Sequence, residues 1–215
     1  MGVSRCVNLG MQCPDYWEGG KEHLSEVDRV LSRLIEGNEG PPLSSRGNVF
    51  LTLVRSIVGQ QISSRAADSI WRRLEDLLGP VRPESIQGVN HEDLLACGLS
   101  GRKSEYIAGI AESWQAGFGY IEWSGLSDEE VTRKLVSLRG VGVWTAEMIM
   151  IFSLLRPDVF PVSDIGIIRS IERHYNQGNA LSESELMVIA GPWKPYRTVA
   201  TWYLWRSSDP EPVRY

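Results

Sequence analysis

The stretch "LVSLRGVGVWTAEMIMIF", residues 135–152, decides the fold of this chain. It predicts a helix, a tight Gly-Val-Gly turn and a second helix. Glycines in a turn permit positive φ angles and let another backbone approach closely. The first N–H groups of the second helix have no partner within that helix and carry the positive end of its dipole. The hairpin is therefore suited to bind a phosphate, although an ordinary connection between two helices is the alternative interpretation.

An aspartate between two apolar runs follows the hairpin, in "PVSDIGIIRS", residues 161–170. Asp164 stands at the expected start of a helix, where an aspartate commonly caps the N-terminus. The second interpretation is catalytic, because a carboxylate among apolar neighbours can stabilise a developing positive charge or orient a water molecule. The residues by themselves leave both interpretations open.

Helical periodicity extends over nearly the whole chain, and no segment alternates over the length of a strand. The fold class predicted is therefore all-α. Two helices are expected on either side of a break at "GQQIS", residues 59–63. Ser25 is expected to cap an earlier helix that ends at Gly37, and residues 85–100 are expected to form one short helix ending near Gly98.

Composition limits the class of protein. The chain has 215 residues, enough for one large domain or two small lobes. Its net charge of −5 argues mildly against a nucleic-acid partner, but a site that binds phosphates through backbone N–H groups needs few lysines. We expect no membrane span and no secretory signal. The cysteines at 6, 13 and 97 match no metal spacing, and a reducing, cytoplasmic setting is expected.

Two motifs in sequence carry a family resemblance. The hairpin has the form L-x-G-x-G-x-x-T-A, and Asp164, Gly166 and Arg169 follow with the spacing D-x-G-x-x-R. Together they resemble the helix-hairpin-helix DNA glycosylases, the HhH-GPD superfamily, and within it the AlkA/MAG branch of DNA-3-methyladenine glycosylase II type. The segments "IVGQQIS", "GLSGRKSEYI", "RPDVFPVSD" and "WKPYR" also occur in the family's order.

The resemblance implies a fold and an activity. The fold would be two helical lobes with a cleft between them, one lobe being residues 48–155 and the other residues 1–47 plus 156–215. The activity would be that of a monofunctional DNA glycosylase, which flips alkylated purines out of double-stranded DNA and excises them in base excision repair. Substrates would be 3-methyladenine and 7-methylguanine, with ethenoadenine as a further candidate. A monomer is expected, at the nucleoid in a bacterium or in the nucleus of a eukaryote.

By the same resemblance, Asp164 is the catalytic carboxylate. Trp144 and Trp205 align with tryptophans that line the base pocket, and Met148 stands where a relative has an aromatic residue. An indole face attracts a cationic purine by stacking and cation–π interaction. Aromatic residues at helical spacing are nevertheless more often core residues, and this alternative stays open for their neighbours in the last helix.

Residues that contact the DNA backbone and the base stack are also implied. Gly140, Gly142 and Thr145 would bind a phosphate beside the lesion. Gln61, at the break between two helices, would occupy the wedge position that fills the gap left by the flipped nucleotide. On the residues alone, a polar pair at a helix junction explains the "GQQIS" stretch equally well.

The resemblance also implies that the protein has no lyase activity and needs no cofactor. Bifunctional members use a lysine after the hairpin, and Trp144 occupies that position, so no abasic-site lyase activity is expected. No cofactor is required. A Na⁺ or K⁺ ion at the hairpin would be held by the backbone carbonyls of Val136, Leu138 and Val141. The rival functions are a helix-hairpin-helix glycosylase for another lesion, and a non-catalytic helix-hairpin-helix module in which Asp164 only caps a helix.

Overall fold

The computed structural model describes residues 14–38, 40–45 and 47–208. Within these ranges the chain forms twelve α-helices and no strand, which confirms the all-α fold class. The helices are α1 Trp17–Val27, α2 Arg29–Glu36, α3 Val49–Gly59, α4 Ser64–Leu78, α5 Pro83–Gln87, α6 His91–Ala96, α7 Gly101–Gln115, α8 Asp128–Val136, α9 Val143–Phe152, α10 Ile165–Tyr175, α11 Glu183–Ile189 and α12 Arg197–Ser208. In these parts of the chain no helix combines the length and the apolarity needed to cross a membrane.

The described residues fall into two units, divided after Ser45 and before Leu155. One unit contains α1, α2 and α10 to α12, and the other contains α3 to α9. The sequence predicts lobe boundaries after residues 47 and 155, which lie in the same two connections. Cys6 and Cys13, for which no metal site and no disulfide are predicted, lie outside the described residues.

The prediction that Ser25 caps a helix is wrong. Helix α1 runs through Ser25, and the chain becomes extended at Asp28, with φ −144° and ψ 111°. The Asp28 carboxylate then caps α2, because Oδ1 accepts hydrogen bonds from the N–H groups of Val30 at 2.8 Å and Leu31 at 3.1 Å. An ionised carboxylate that accepts from two N–H groups is a stronger start signal than a serine hydroxyl. The predicted end at Gly37 is confirmed.

Asp28 also connects distant parts of its unit. Its second oxygen, Oδ2, accepts hydrogen bonds from the hydroxyl of Tyr175 at 2.9 Å and from the indole Nε1 of Trp193 at 2.8 Å. Burial, and then the neighbouring charge of Asp28, raise the pKa of Tyr175, so the phenol stays protonated and donates. One carboxylate thus begins α2 and fixes both α10 and the turn before α12.

The prediction of one short helix over residues 85–100 is also wrong, because two helices, α5 and α6, occupy this region. Asn90 interrupts the chain between them and caps α6, with its side chain accepting from the N–H of Asp93 at 2.9 Å. The Asp93 carboxylate reaches back to the N–H of Asn90, which completes a reciprocal cap and fixes a new helix start. The predicted end near Gly98 is confirmed, since α6 ends at Ala96 and Gly98 has φ +94°.

Helix α7 is the central helix of the second unit and packs against α3, α5 and α6. At its C-terminal end the rings of Phe50, Trp114 and Trp123 form a cluster, with centroids 5.3 Å apart for the first pair and 6.4 Å apart for the second. Trp114 and Trp123 therefore pack on other aromatic rings within this unit. Their place in the sequence carries no sign of this, since they belong to different helical segments.

Candidate active site and DNA-binding hairpin

Asp164 is the N-cap of α10 and is nearly buried, with 9% of its surface exposed. Its Oδ1 accepts two hydrogen bonds: one from the N–H of Ile167 at 2.9 Å and one from the indole Nε1 of Trp205 at 3.0 Å. The capping interpretation of Asp164 is therefore confirmed. It does not compete with the catalytic interpretation, because a carboxylate whose orientation is fixed by two donors is also pre-organised for electrostatic work.

Gly166 makes room for the bond between Trp205 and Asp164. A Cβ atom at this position would lie 3.1 Å from Oδ1 of Asp164, closer than side chains ordinarily approach, and 3.4 Å from Cδ1 of Trp205, in van der Waals contact. A side chain here would require the Asp164 carboxylate to shift by a few tenths of an ångström. This contact gives a physical reason for the glycine two positions after the aspartate in the D-x-G spacing.

The segment that leads to Asp164 is tied to the start of α12. The guanidinium of Arg197 forms a bidentate ion pair with the carboxylate of Asp158, at 2.6 Å from Nε and 2.9 Å from Nη2. The hydroxyl of Thr198 donates to the carbonyl of Arg156 at 2.6 Å and accepts from the N–H of Val159 at 2.9 Å. Because α12 also carries Trp205, these contacts fix the path of the chain relative to the helix that orients the carboxylate.

Sequence reasoning missed the positioning roles of Arg197 and Thr198. The two motifs involved, "RPDVFPVSD" and "WKPYR", are visible in the sequence, but nothing in either indicates that they meet. The available signal is one acidic and one basic residue, Asp158 in the turn before Asp164 and Arg197 at the start of α12, each within a motif of the same family.

The hairpin connects α8 to α9 through two glycines that differ in conformation. Gly140 has φ +90°, in the left-handed region, and a Cβ there would collide with the ring of Tyr106. Gly142 has φ −98° and ψ 176°, an extended conformation that any residue adopts, and a Cβ there would meet no atom within 4 Å. The turn therefore requires glycine at 140, whereas Gly142 leaves open space in front of the start of α9.

No side chain caps the start of α9, unlike that of α10. The Thr145 side chain is buried, with 2% of its surface exposed, so its hydroxyl is turned away from solvent. A phosphate at this helix start would be met by backbone N–H groups, as expected for Gly140 and Gly142, and by the N–H of Thr145 rather than its hydroxyl. These phosphate contacts stay predictions.

The predicted pocket residues lie in both units. Trp205 is in the same unit as Asp164 and is 7% exposed. Trp144 and Met148 lie one turn apart on α9 in the other unit, where Trp144 is half-buried and Met148 has no exposed surface. A base would reach the Met148 side chain only after neighbouring groups move. The pocket role of these three side chains stays a prediction.

The carbonyls predicted to hold a monovalent cation lie at the end of α8 and in the turn. The last carbonyl groups of a helix have no partner within it, which applies to Val136. The Leu138 carbonyl accepts one hydrogen bond, from the N–H of Val141 at 3.1 Å, and a carbonyl oxygen has a second lone pair. Backbone oxygens at the negative end of a helix are a donor set that suits Na⁺ or K⁺. Among the described side chains, no group of three His, Cys, Asp or Glu residues could hold a metal ion.

The wedge candidate lies at the tip of the turn between α3 and α4. Gln61 has φ +58° and an exposed side chain. Its neighbour Gln60 is turned inwards, and its amide Nε2 donates a hydrogen bond to the carbonyl of Gly140 at 3.2 Å. Residues 60–63, between α3 and α4, are referred to as the wedge turn. This hydrogen bond brings the wedge turn into direct contact with the hairpin within one unit.

Comparison with known proteins agrees with this geometry. A family model described as HhH-GPD superfamily base excision DNA repair protein matches residues 54–195. This chain belongs to the HhH-GPD superfamily. It is 33% identical over 194 residues to DNA-3-methyladenine glycosylase 1 of Schizosaccharomyces pombe, covering 86% of this chain and 85% of the relative. The family predicted from the two motifs is confirmed.

Two solved structures are similar to this fold. One is the 3-methyladenine DNA glycosylase of S. pombe in complex with abasic DNA, with a TM-score of 0.80 and 32% identity, covering 88% of this chain and 96% of that one. The other is a DNA-3-methyladenine glycosidase from Bacillus halodurans, with a TM-score of 0.75 and 37% identity, covering 88% of each chain. The similarity therefore extends over both units of this member of the HhH-GPD superfamily.

The two hairpin glycines should respond differently to the same substitution. Gly140→Ala should lower the free energy of unfolding by at least about 2 kcal/mol, because it combines a left-handed backbone with a collision against Tyr106. Gly142→Ala should cost less than about 1 kcal/mol, because its backbone is extended and its surroundings are open. Urea denaturation of both variants measures the difference. Equal losses at the two positions would contradict this account of the turn.

Proposed function

We propose that this protein is a monofunctional DNA glycosylase that flips alkylated purines out of double-stranded DNA and excises them in base excision repair. The observation that carries the proposal is the Asp164 carboxylate, held by Trp205 and by the first turn of α10, in a chain of the HhH-GPD superfamily. The similar proteins from S. pombe and B. halodurans are named for 3-methyladenine. The substrates proposed are 3-methyladenine and 7-methylguanine, with ethenoadenine as a slower one.

The proposed reaction requires one negatively charged side chain from the protein. Alkylation at N3 or N7 puts a positive charge on the purine, so the bond from C1′ to the base breaks with its electron pair leaving on a neutral purine. Positive charge then develops on the sugar, and the ionised carboxylate of Asp164 stabilises it. A water molecule bonds to C1′ and gives a proton to the same carboxylate, which acts as general base. Asp164 would thus serve both halves of the reaction.

The two hydrogen bonds to Asp164 would make its electrostatic role more effective. Both described hydrogen bonds end on Oδ1, so Trp205 and the α10 backbone set the position of this oxygen before any DNA is bound. A charge that does not have to reorient during the reaction stabilises the transition state more than a mobile one.

The aromatic side chains supply a base-binding surface in this proposal. The indoles of Trp144 and Trp205 would attract a cationic purine more strongly than a neutral one. Met148, in place of a further aromatic ring, would give the pocket a different shape from that of its relatives. Neutral ethenoadenine gains less from the indoles and leaves less readily, so it should be released more slowly.

DNA would be held mainly through backbone groups. The N–H groups of Gly140, Gly142 and Thr145 would bind a phosphate beside the lesion, and Gln61 would fill the space left by the flipped nucleotide. Such contacts explain how a chain with a net charge of −5 can use DNA as a partner.

No cofactor is required in this proposal. A Na⁺ or K⁺ ion held by the carbonyls of Val136, Leu138 and Val141 would add positive charge to the hairpin when bound. These carbonyls and the N–H groups of the turn belong to the same connection between α8 and α9, so the ion and the phosphate site would act together.

The proposal excludes strand cleavage. A lyase needs an amine that forms a Schiff base with the sugar, and Trp144 stands where bifunctional relatives carry that lysine. The product would be an intact strand with an abasic site. We further propose that the protein works as a monomer, at the nucleoid of a bacterium or in the nucleus of a eukaryote.

Base release from defined DNA tests the proposed function. The protein should release 3-methyladenine and 7-methylguanine, release ethenoadenine more slowly, and leave uracil in place. Liberated bases are measured by chromatography, and strand breaks on a denaturing gel. Release of uracil or of an oxidised base in preference to alkylated purines would favour a glycosylase for another lesion. Binding of DNA without release of any base would favour a non-catalytic module.

Neutralising Asp164 should separate capping from catalysis. Asp164→Asn keeps the volume and the capping ability of the side chain, so the variant should fold and bind damaged DNA. Its single-turnover rate of base release should fall about a hundredfold or more, the scale typical of losing one pre-organised electrostatic group. The exposed Asp15→Asn on the same unit serves as the control for loss of one negative charge. A folded Asp164→Asn variant with near wild-type rates would leave Asp164 with capping alone.

Gly166→Ala should disturb the orientation of Asp164 without removing any functional group. The added methyl would press on Oδ1 of Asp164, so base release should slow by about tenfold or more while DNA affinity stays unchanged. Gly101→Ala is the matched control, because it also lies in the first turn of a helix and its Cβ would meet no atom within 4 Å. If both alanines have the same small effect, the close contact at Gly166 has no role in positioning.

A further inference from the structure

A lysine caps the helix that leads into the wedge turn. Lys103, on α7, directs its Nζ at the carbonyls of Val58, at 2.8 Å, and Gln60, at 2.7 Å. These are carbonyls at the C-terminal end of α3, where the helix dipole is negative and no intrahelical partner exists. The ammonium is half-buried in this position, and burial lowers the pKa of Lys103. The partly desolvated ammonium group of Lys103 therefore binds two backbone carbonyl oxygens, those of Val58 and Gln60.

The backbone that Lys103 holds is strained. Gln61 follows directly, with φ +58°, and the left-handed conformation is unfavourable for a residue other than glycine. The Gln61 side chain is exposed, so its own packing does not compensate for this cost. Neighbouring contacts must therefore stabilise the turn, and the two hydrogen bonds from Lys103 end on the residues just before the strained position.

The same helix also sets the position of the hairpin. Tyr106 lies three residues after Lys103 on α7, so the two side chains leave the helix on the same side. The Tyr106 ring packs where a Cβ of Gly140 would be. The Gln60 side chain links the two turns directly, because its amide donates a hydrogen bond to the Gly140 carbonyl at 3.2 Å. One face of α7 therefore fixes both the wedge turn and the hairpin turn.

We propose that Lys103 is a positioning residue for base extrusion, which keeps Gln61 at a set distance from the phosphate-binding hairpin. The inference rests on the proposed function, because it assumes that the hairpin holds the DNA backbone while Gln61 enters the base stack. Inserting a side chain between stacked bases pushes back on the turn that carries it. A turn fixed by Lys103 resists this force, whereas a free turn would relax and let the nucleotide return to the stack.

Lys103→Met tests the proposal, because it keeps the length of the side chain and removes both hydrogen bonds. Release of 7-methylguanine is measured in single turnovers, from a duplex with cytosine opposite the lesion and from the single strand. Release from the duplex should slow about tenfold and release from the single strand by less than about twofold, since extrusion from a stack is needed only in the duplex. Arg102→Met, on the next position of α7, controls for the loss of one positive charge.

A double-mutant cycle with Gln61→Ala tests whether Lys103 acts on base release through Gln61. In the Gln61→Ala background, Lys103→Met should slow release from the duplex by less than about twofold further, because the turn then carries no wedge to position. Lys103→Arg, which keeps a charged donor, should restore most of the duplex rate. If Lys103→Met fails to fold, Lys103→Gln is used in the same comparison.

The outcomes separate the inference from the proposed function. Equal slowing on duplex and single strand, or effects of Lys103 and Gln61 that multiply, would overturn the inference and leave Lys103 as an ordinary stabiliser of α3. So would unchanged duplex rates in a folded variant. A wild-type protein that releases no alkylated purine from either substrate would instead overturn the proposed function.

Discussion

The unpaired N–H groups at the start of each helix are the constraint on which this structure depends. Side chains satisfy them at most helix starts, by Asp28 for α2, Asn48 for α3, Ser63 for α4, Asn90 for α6, Ser100 for α7, Ser127 for α8, Asp164 for α10 and Ser182 for α11. Helix α9, like α1, begins without such a side chain, and its N-cap is Gly142. The chain thus leaves an uncapped helix start at the hairpin, where an anion from outside can take the place of the missing cap.

Asp164, in contrast, caps the first turn of its helix with its own side chain. Its carboxylate satisfies the first turn of α10 and, through the same oxygen, the indole of Trp205. A helix cap is normally a structural device, and a catalytic carboxylate is normally thought of as separate from it. In the proposed function the cap would supply the fixed orientation that catalysis needs, so folding and activity would draw on one pair of hydrogen bonds. Gly166 leaves room for that pair.

The sequence is informative about local structure and less so about contacts between distant segments. The caps at Asn48, Ser63 and Ser127 and the break at "GQQIS" are predictable, because each depends on residues within four positions. Asp28 is missed although its cap is local, and its hydrogen bonds to Tyr175 and Trp193, far along the chain, leave no signal in the neighbouring sequence.

The same limit applies to the candidate site. The position of Asp164 follows from a motif, but its bond to Trp205, 41 residues away, does not. The contacts of Lys103 give no sequence signal, because its partners are backbone carbonyls, which every residue has. The burial of Thr145 and Met148 likewise depends on how α9 packs, and periodicity is weak in a helix that is apolar nearly all round.

The placement of Lys103 and Tyr106 on one face of α7 has a consequence for how this family of sequences can vary. An α-helix advances about 1.5 Å and turns about 100° with each residue. Inserting or deleting a single residue between the two positions would swing one of them away from its turn, so the two turns would no longer be set by one helix. Substitutions on the outer face of α7 change neither the rise nor the rotation. We therefore expect the outer face of α7 to accept many changes of residue type while the length of the helix between Lys103 and Tyr106 stays constant.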